Sequence, residues 1–266
     1  MQNPPDQNAD YLTCPPRPSL AGFVRCVWRY RSSSGERRVE PIPPDGCPEF
    51  IVNTRSPAFE LAAEGDWRPQ AAAVFAGQLT RPLTLAVEGP VETIGVRFEP
   101  DGAREFFGAS MKRATDRRIP MSQIRNIDVE ALVCALRLQD WDRQVETVLD
   151  IVAVTTLAGT EKDPLVADAM SRLAENRPIA VDGLTIRQLQ RRFLDRVGVS
   201  MREYRSILRF RRVFDDIEAR PDWAQSALAA GYFDQAQMAR DFRRYLGCTA
   251  SQWARQKAGL ATSLAR

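Results

Sequence analysis

A chain of 266 residues, 44% hydrophobic and 27% charged, has the length for two cores and the balance of an ordinary folded protein. It has no histidine, which excludes Ser-His-Asp and Cys-His catalysis, and its five cysteines, at 14, 26, 47, 134 and 248, form no Cys-x-x-Cys pair, so no metal, cofactor or disulfide is expected. The net charge of +3 hides a division: residues 161 to 266 hold 19 Lys and Arg against 13 Asp and Glu, net +6, and the rest holds 18 against 21, net −3. The start lacks a targeting pattern and no stretch is long and apolar enough to span a bilayer, so the expected location is the cytoplasm, with no membrane partner.

Residues 1 to 22, rich in proline and polar groups, read as a lead-in without fixed structure. From Phe23 to Tyr30 the pattern alternates, with Val24, Cys26, Trp28 and Tyr30 on one face of a strand and Arg25 and Arg29 on the other. Prolines 41, 43, 44 and 48 bracket the turn Asp45-Gly46-Cys47, which feeds a strand from Glu49 to Asn53. Further strands are predicted at Ala58 to Leu61, Ala72 to Ala76, Leu83 to Val87 and Val91 to Pro100, the last placing Ile94, Val96 and Phe98 inward. Many short strands between Gly and Pro breakers indicate an antiparallel sandwich or barrel. Trp28, Trp67, Phe75 and Phe98 are candidate pocket residues, with plain core as the commoner role for such aromatics. Cys47, beside Asp45, reads as structural rather than reactive, since a neighbouring carboxylate raises a thiol pKa. Asp45 and Glu49 read as ordinary turn and strand-start residues.

A short helix between Pro100 and Gly108 closes the β region. Two helices follow, at about Ile127 to Leu138 and Trp141 to Thr155, whose apolar faces pair within the subunit or, as the less frequent alternative, with a second copy. Leu157 to Asp163 reads as a linker between domains 1–160 and 161–266. Asp163 caps and Pro164 opens the next helix, with the stripe Leu165, Val166, Ala169, Met170 and Leu173. Thr185 caps a helix burying Ile186, Leu189 and Phe193, with Arg187, Gln190 and Arg191 outward. A capping box at Ser200 to Glu203 opens a long helix reaching about Ala219.

The stretch from Asp222 to Gly247 predicts a helix-turn-helix. Asp222 caps a helix burying Trp223, Ala227 and Leu228, Gly231 makes the sharp exit, and Asp234 caps a second helix with the stripe Met238, Phe242, Tyr245 and Leu246. In such a unit the start of the second helix enters the DNA major groove, offering Gln235, Gln237 and Arg240 to base edges and Arg243 and Arg244 to phosphates. Thr249 to Gln252 forms another capping box, and the tail from Lys257 is expected to fray.

Ala-Ala-Gly231-Tyr-Phe-Asp-Gln235, Arg240-Asp-Phe-Arg-Arg-Tyr-Leu-Gly247 and Thr249-Ala-Ser-Gln252-Trp253 together resemble the second helix-turn-helix of the AraC/XylS bacterial transcription regulators. Leu189-Gln-Arg-Arg-Phe193 to Tyr204 and the long helix after it resemble the first recognition helix and linker helix of that family, so the resemblance covers roughly residues 163 to 255. It implies Arg187, Gln190 and Arg191 on DNA in one unit, and Gln235, Gln237, Ala239 and Arg240 in the other. One departure stands out: Ile179 to Gly183 replaces the supporting helix of the first unit, so that unit is truncated. Unequal halves follow, with base reading mainly in the second unit and dimerisation through residues 1 to 160 needed for useful specificity.

The turns around Pro44 to Glu49, Ala76 to Pro82 and Gly95 to Pro100 resemble an uncharacterised N-terminal domain of some AraC-type regulators, whose sensor domains are often cupin-like barrels. The expected architecture is α+β: a β-rich, cupin-like barrel or sandwich, then an all-α, homeodomain-like helix-turn-helix domain. The partners this reading implies are double-stranded DNA, a small-molecule effector, RNA polymerase and a second copy of the chain. A rival reading makes the β-rich half a small-molecule-binding protein or enzyme with a degenerate DNA-binding half. The adopted reading is a regulator that is not an enzyme.

Overall fold

The computed structural model describes residues 9–156, 162–181, 183–215 and 223–256. Strands come first: β1 (Ala9–Cys14), β2 (Val24–Ser32), β3 (Arg38–Ile42), β4 (Glu49–Asn53), β5 (Ala58–Leu61), β6 (Trp67–Pro69), β7 (Ala73–Ala76), β8 (Leu83–Val87), β9 (Val91–Phe98) and, after a helical turn, β10 (Arg118–Pro120). They form a six-stranded sheet in the order β1-β2-β9-β4-β7-β10 and a four-stranded sheet in the order β3-β8-β5-β6. One face of the larger sheet is covered by α1 (Arg104–Phe107), α2 (Val129–Leu138) and α3 (Trp141–Thr156). The other lines a cavity shared with the smaller sheet.

Period-two alternation divides the strands of the larger sheet between these two environments. Phe50 and Val52 of β4 and Ile94, Val96 and Phe98 of β9 pack under the helices with Phe106, Leu136 and Val148. Glu49, Ile51 and Asn53, with Val91, Thr93 and Arg97, face the cavity instead. The residues predicted inward on β9 are therefore buried, but in the sheet–helix core and not inside the barrel. In β2 a bulge between Val24 and Cys26 breaks the expected single face: Val24 and Val27 enter the helix-side core, while Trp28 and Tyr30 turn to the cavity. Arg29, expected outward, is buried because α3 lies over it; its guanidinium donates to Gln144 (3.3 Å) and Asp10 (3.3 Å) and sits 5.4 Å from the Trp141 ring.

The lead-in is in part structured, since β1 pairs along the whole of its length with β2. The apolar faces of α2 and α3, including Leu132, Leu136, Val148 and Val152, are occupied inside this chain and are not available to a second copy. Beside them Glu92 is buried, accepting hydrogen bonds from Arg31 (3.0 Å), Arg55 (3.2 Å) and Gln144 (3.2 Å). Burial alone drives this carboxyl up, but these donors outweigh it and hold the group below the usual carboxylate range.

The helical domain contains α4 (Pro164–Ala174), α5 (Ile186–Val197), α6 (Met201–Asp215), α7 (Trp223–Ala229), α8 (Gln235–Leu246) and α9 (Ala250–Gln256). Asp163 caps α4 by accepting from the Leu165 and Val166 amides, with Pro164 at the first position, and Thr185 and Gln188 form the capping box of α5. Residues 157–161 of the expected linker, the end of the long helix beyond Asp215, the Asp222 cap and the tail from Lys257 lie outside the described residues. Leu228, expected in the core, is exposed on α7, with Ala227 and Ala230 taking the buried positions.

Candidate nucleic-acid interface

α6 carries two small cores on one rod. Tyr204, near its start, joins Val166, Leu173, Leu189 and Phe193, while Ile207, Phe210, Val213 and Phe214 join Ala227, Met238, Phe242, Tyr245 and Trp253. The ring of Phe210 lies 5.0 Å from Phe242 and 5.2 Å from Tyr245. Polar ties hold α8 to the same rod: Asp241 accepts from Ser206 (2.8 Å), and Glu203 accepts from both Tyr245 (2.8 Å) and Arg244 (2.8 Å).

Between α7 and α8 the chain turns through Gly231, at φ +85°, where a Cβ would lie 2.4 Å from Nδ2 of Asn176. Asp234 then caps α8, accepting from the Gln237 amide at 2.6 Å. Gln235, Arg240 and Arg243 are exposed, whereas Met238, Phe242, Tyr245 and Leu246 are buried on the opposite side. Ala239 is half-buried at the edge of the presented face. Gln237 is half-buried too, and its side-chain oxygen accepts the Phe233 amide at 3.0 Å, so it closes the helix start. Arg244 is committed to Glu203, which separates it from Arg243. Phe233, 93% exposed at the mouth of the turn, was missed in the sequence, where it reads as one more apolar residue beside Tyr232.

In the first unit α5 buries Leu189, Phe193 and Val197 and exposes Arg187, Gln190 and Arg191. These three line a cleft that continues to Ser200 and Arg202 at the start of α6. No helix lies between Ala174 and Thr185 among the described residues, as the short connection predicts; Ile179 and Val181 pack there against the first core.

The β-rich half has a chemistry of its own. Its cavity, about 140 Å³, is walled by aliphatic residues such as Ile51, Leu83, Leu85 and Val87 around a charged cluster. Arg97 pairs with Glu49 (2.8 Å) and Asp45 (3.4 Å), and the Trp28 indole donates to Glu49 (3.0 Å). Burial pushes the Glu49 carboxyl up against the pull of Arg97, and it pushes the Cys47 thiol up, so that cysteine is not an activated nucleophile. The Trp28 ring lies on Gly95, where a Cβ would be 2.2 Å from its Cε2 atom, so only glycine allows this packing. Of the four aromatics named from sequence, Trp28 lines the cavity; Phe75 and Phe98 are sheet–helix core, and Trp67 carries Arg37 over its ring at 5.0 Å. Asp45 and Glu49, ordinary by sequence, are the acceptors that hold Arg97; their signal was the alternation of β4 and β9, which sets Glu49 and Arg97 opposite each other. Arg211, from α6, also reaches the cavity wall.

Residues 181–256 match the model of a helix-turn-helix domain, over the segment that carries α5 to α9. The helical half is an AraC-type helix-turn-helix domain. The chain is accordingly a DNA-binding transcription regulator. Residues 12–120 match a domain of unknown function, DUF6597, and no curated protein matches the chain. Among solved structures, ToxT from Vibrio cholerae is 8% identical, with 92% of this chain and 97% of that chain covered at a TM-score of 0.44. The unsaturated fatty acid-bound wild-type ToxT from strain SCE256 is 9% identical over 95% of this chain and 97% of that chain, at 0.41. A cupin domain of an XRE family transcriptional regulator from Enterobacter cloacae is 18% identical, covering 35% of this chain and 99% of that chain at 0.26. No helix of the described residues is long and apolar enough to cross a membrane.

Proposed function

We propose that this regulator reads specific DNA sequences mainly through α8, with residues 161–266 as the reading domain and residues 1–160 as its β-rich sensor. The observation that carries this is the division of α8: Gln235, Arg240 and Arg243 stand exposed together, and the opposite face is locked into the core around α6. An exposed guanidinium about one turn into a recognition helix suits a guanine edge, and Gln235 suits an adenine. Arg243 supplies a phosphate contact, and the cleft of Arg187, Gln190, Arg191 and Arg202 supplies more on the first unit. Binding of a small-molecule effector in the barrel cavity belongs to the same reading, because Arg211 of α6 forms part of its wall and α6 carries both units. A second copy of the chain on the operator completes it.

The experiment is selection of bound sequences from a random duplex pool by the full-length protein. A recurrent motif is the expected result, and Arg240→Ala should cost about 1 to 3 kcal/mol on it while relaxing one base position. A pool that stays random after repeated rounds would refute the reading.

A further inference from the structure

In a helix-turn-helix the supporting helix fixes the angle at which the recognition helix enters the groove. Among the described residues α5 has no such helix directly before it, yet its start is capped and its body is buried on α4 and α6. The C-terminal end of α5 is where the other half of the chain meets it. The helical turn Met111–Arg113, which follows α1, packs against this end, and Gly198, the left-handed residue closing α5, approaches so closely that a Cβ there would lie 3.0 Å from the Met111 carbonyl oxygen. Thr115 donates its hydroxyl to the Gly198 carbonyl at 2.6 Å. Two crossed ion pairs flank this contact: Arg104 with Asp195 at 2.7 Å, and Arg196 with Glu105 at 3.1 Å, the Glu105 side chain being 4% exposed. Arg104 and Glu105 are adjacent on α1, and Asp195 and Arg196 are adjacent on α5, so the pairs resist both sliding and rotation of one helix on the other.

We infer that the β-rich domain is the missing support of the first recognition helix, with Arg104, Glu105, Met111 and Thr115 as positioning residues for Arg187, Gln190 and Arg191. The inference rests on the proposed reading of DNA mainly through α8 and goes one step beyond it, giving α5 a minor base preference of its own beside its phosphate contacts. It makes the first unit's base preference conditional on the domain contact, whereas α8, tied to α6 through Asp241, Glu203 and the Phe210 cluster, keeps its own. A change at the domain contact is therefore felt by one half of the operator and not the other.

The test uses the full chain and the charge swap that the paired residues allow. Arg104→Glu places like charge against Asp195, and Asp195→Arg in the same protein restores an opposite pair. Thr115→Val removes the hydroxyl contact with no change of charge. Sequence selection from a random pool is run on wild type and on each variant, with thermal unfolding alongside. The expected result is a two-part motif for wild type, a roughly tenfold loss of preference in one part for Arg104→Glu and for Thr115→Val, an unchanged second part, and recovery of the first part in the double variant. A wild type that selects no sequence overturns the DNA reading and this inference with it. If wild type selects a motif, then retention of both parts by Arg104→Glu, equal loss of both parts, or a selective loss that Asp195→Arg fails to restore overturns the inference alone.

Discussion

Glu203 holds two groups of α8 at once, and neutralising it separates their roles. In Glu203→Gln the Tyr245 hydroxyl, whose residue is fully buried, keeps an amide oxygen as acceptor, so folding should lose only about 1 kcal/mol from exchanging a charged for a neutral acceptor. Arg244 loses its carboxylate at 2.8 Å; half-exposed, it becomes free to meet phosphate. One added phosphate contact steepens the dependence of log K on log salt by about 0.9. Between 50 and 200 mM salt that amounts to an extra loss of roughly three- to fourfold, measured from a higher starting affinity at low salt. Fluorescence anisotropy on a labelled random duplex at four salt concentrations gives the slope, and urea unfolding gives the stability. A slope unchanged from wild type, in a variant that unfolds within about 1 kcal/mol of it, would refute the assignment of Arg244 to the Glu203 tie.

Phe210→Ala removes a fully buried ring that touches Phe214, Phe242 and Tyr245 and should cost about 3 to 5 kcal/mol in the helical domain, abolishing sequence-specific binding; a loss under 1 kcal/mol in urea unfolding would contradict the packing described. Glu92, held below its usual range when folded, contributes stability that is present above the ordinary carboxylate pKa and lost as pH falls through the depressed value. Glu92→Gln should therefore be about 2 kcal/mol less stable than wild type at pH 7, with the difference closing as pH falls below the ordinary carboxylate range, and a difference independent of pH would count against the ionised network.

The strands legible in the sequence were the inner ones. β2, β4, β5, β7, β8 and β9 carry clear apolar patterns because they have neighbours on both sides, and they were found within a residue or two. β1, β3, β6 and β10 are the sheet edges and were missed. Pro41, Pro69 and Pro120 sit in three of them, where a lost backbone donor is tolerated, and proline in a sequence reads as a break. The site divided along similar lines. Caps and helical stripes exposed α5 and α8, since they are local in sequence, but the engagement of Arg244 by Glu203 spans 41 residues and that of Arg104 by Asp195 spans 91, which no local pattern encodes. The cavity cluster was hidden for a different reason: alternation says which residues share a face, but not which face meets helices and which meets the second sheet. The bulge in β2 added a reversal of its own, moving Trp28 to the opposite side from Val24.

The claim that α8 reads the bases is tested most directly by the triple variant Gln235→Ala, Gln237→Ala, Arg240→Ala in the full-length protein, put through the same random-pool selection as wild type. These side chains are exposed or half-buried, so the fold should persist. The account predicts that wild type enriches a motif, while the variant still binds random duplex with salt dependence, through Arg243 and the α5 cleft, and enriches none of the positions assigned to α8. Recovery of the full wild-type motif by the triple variant would contradict it.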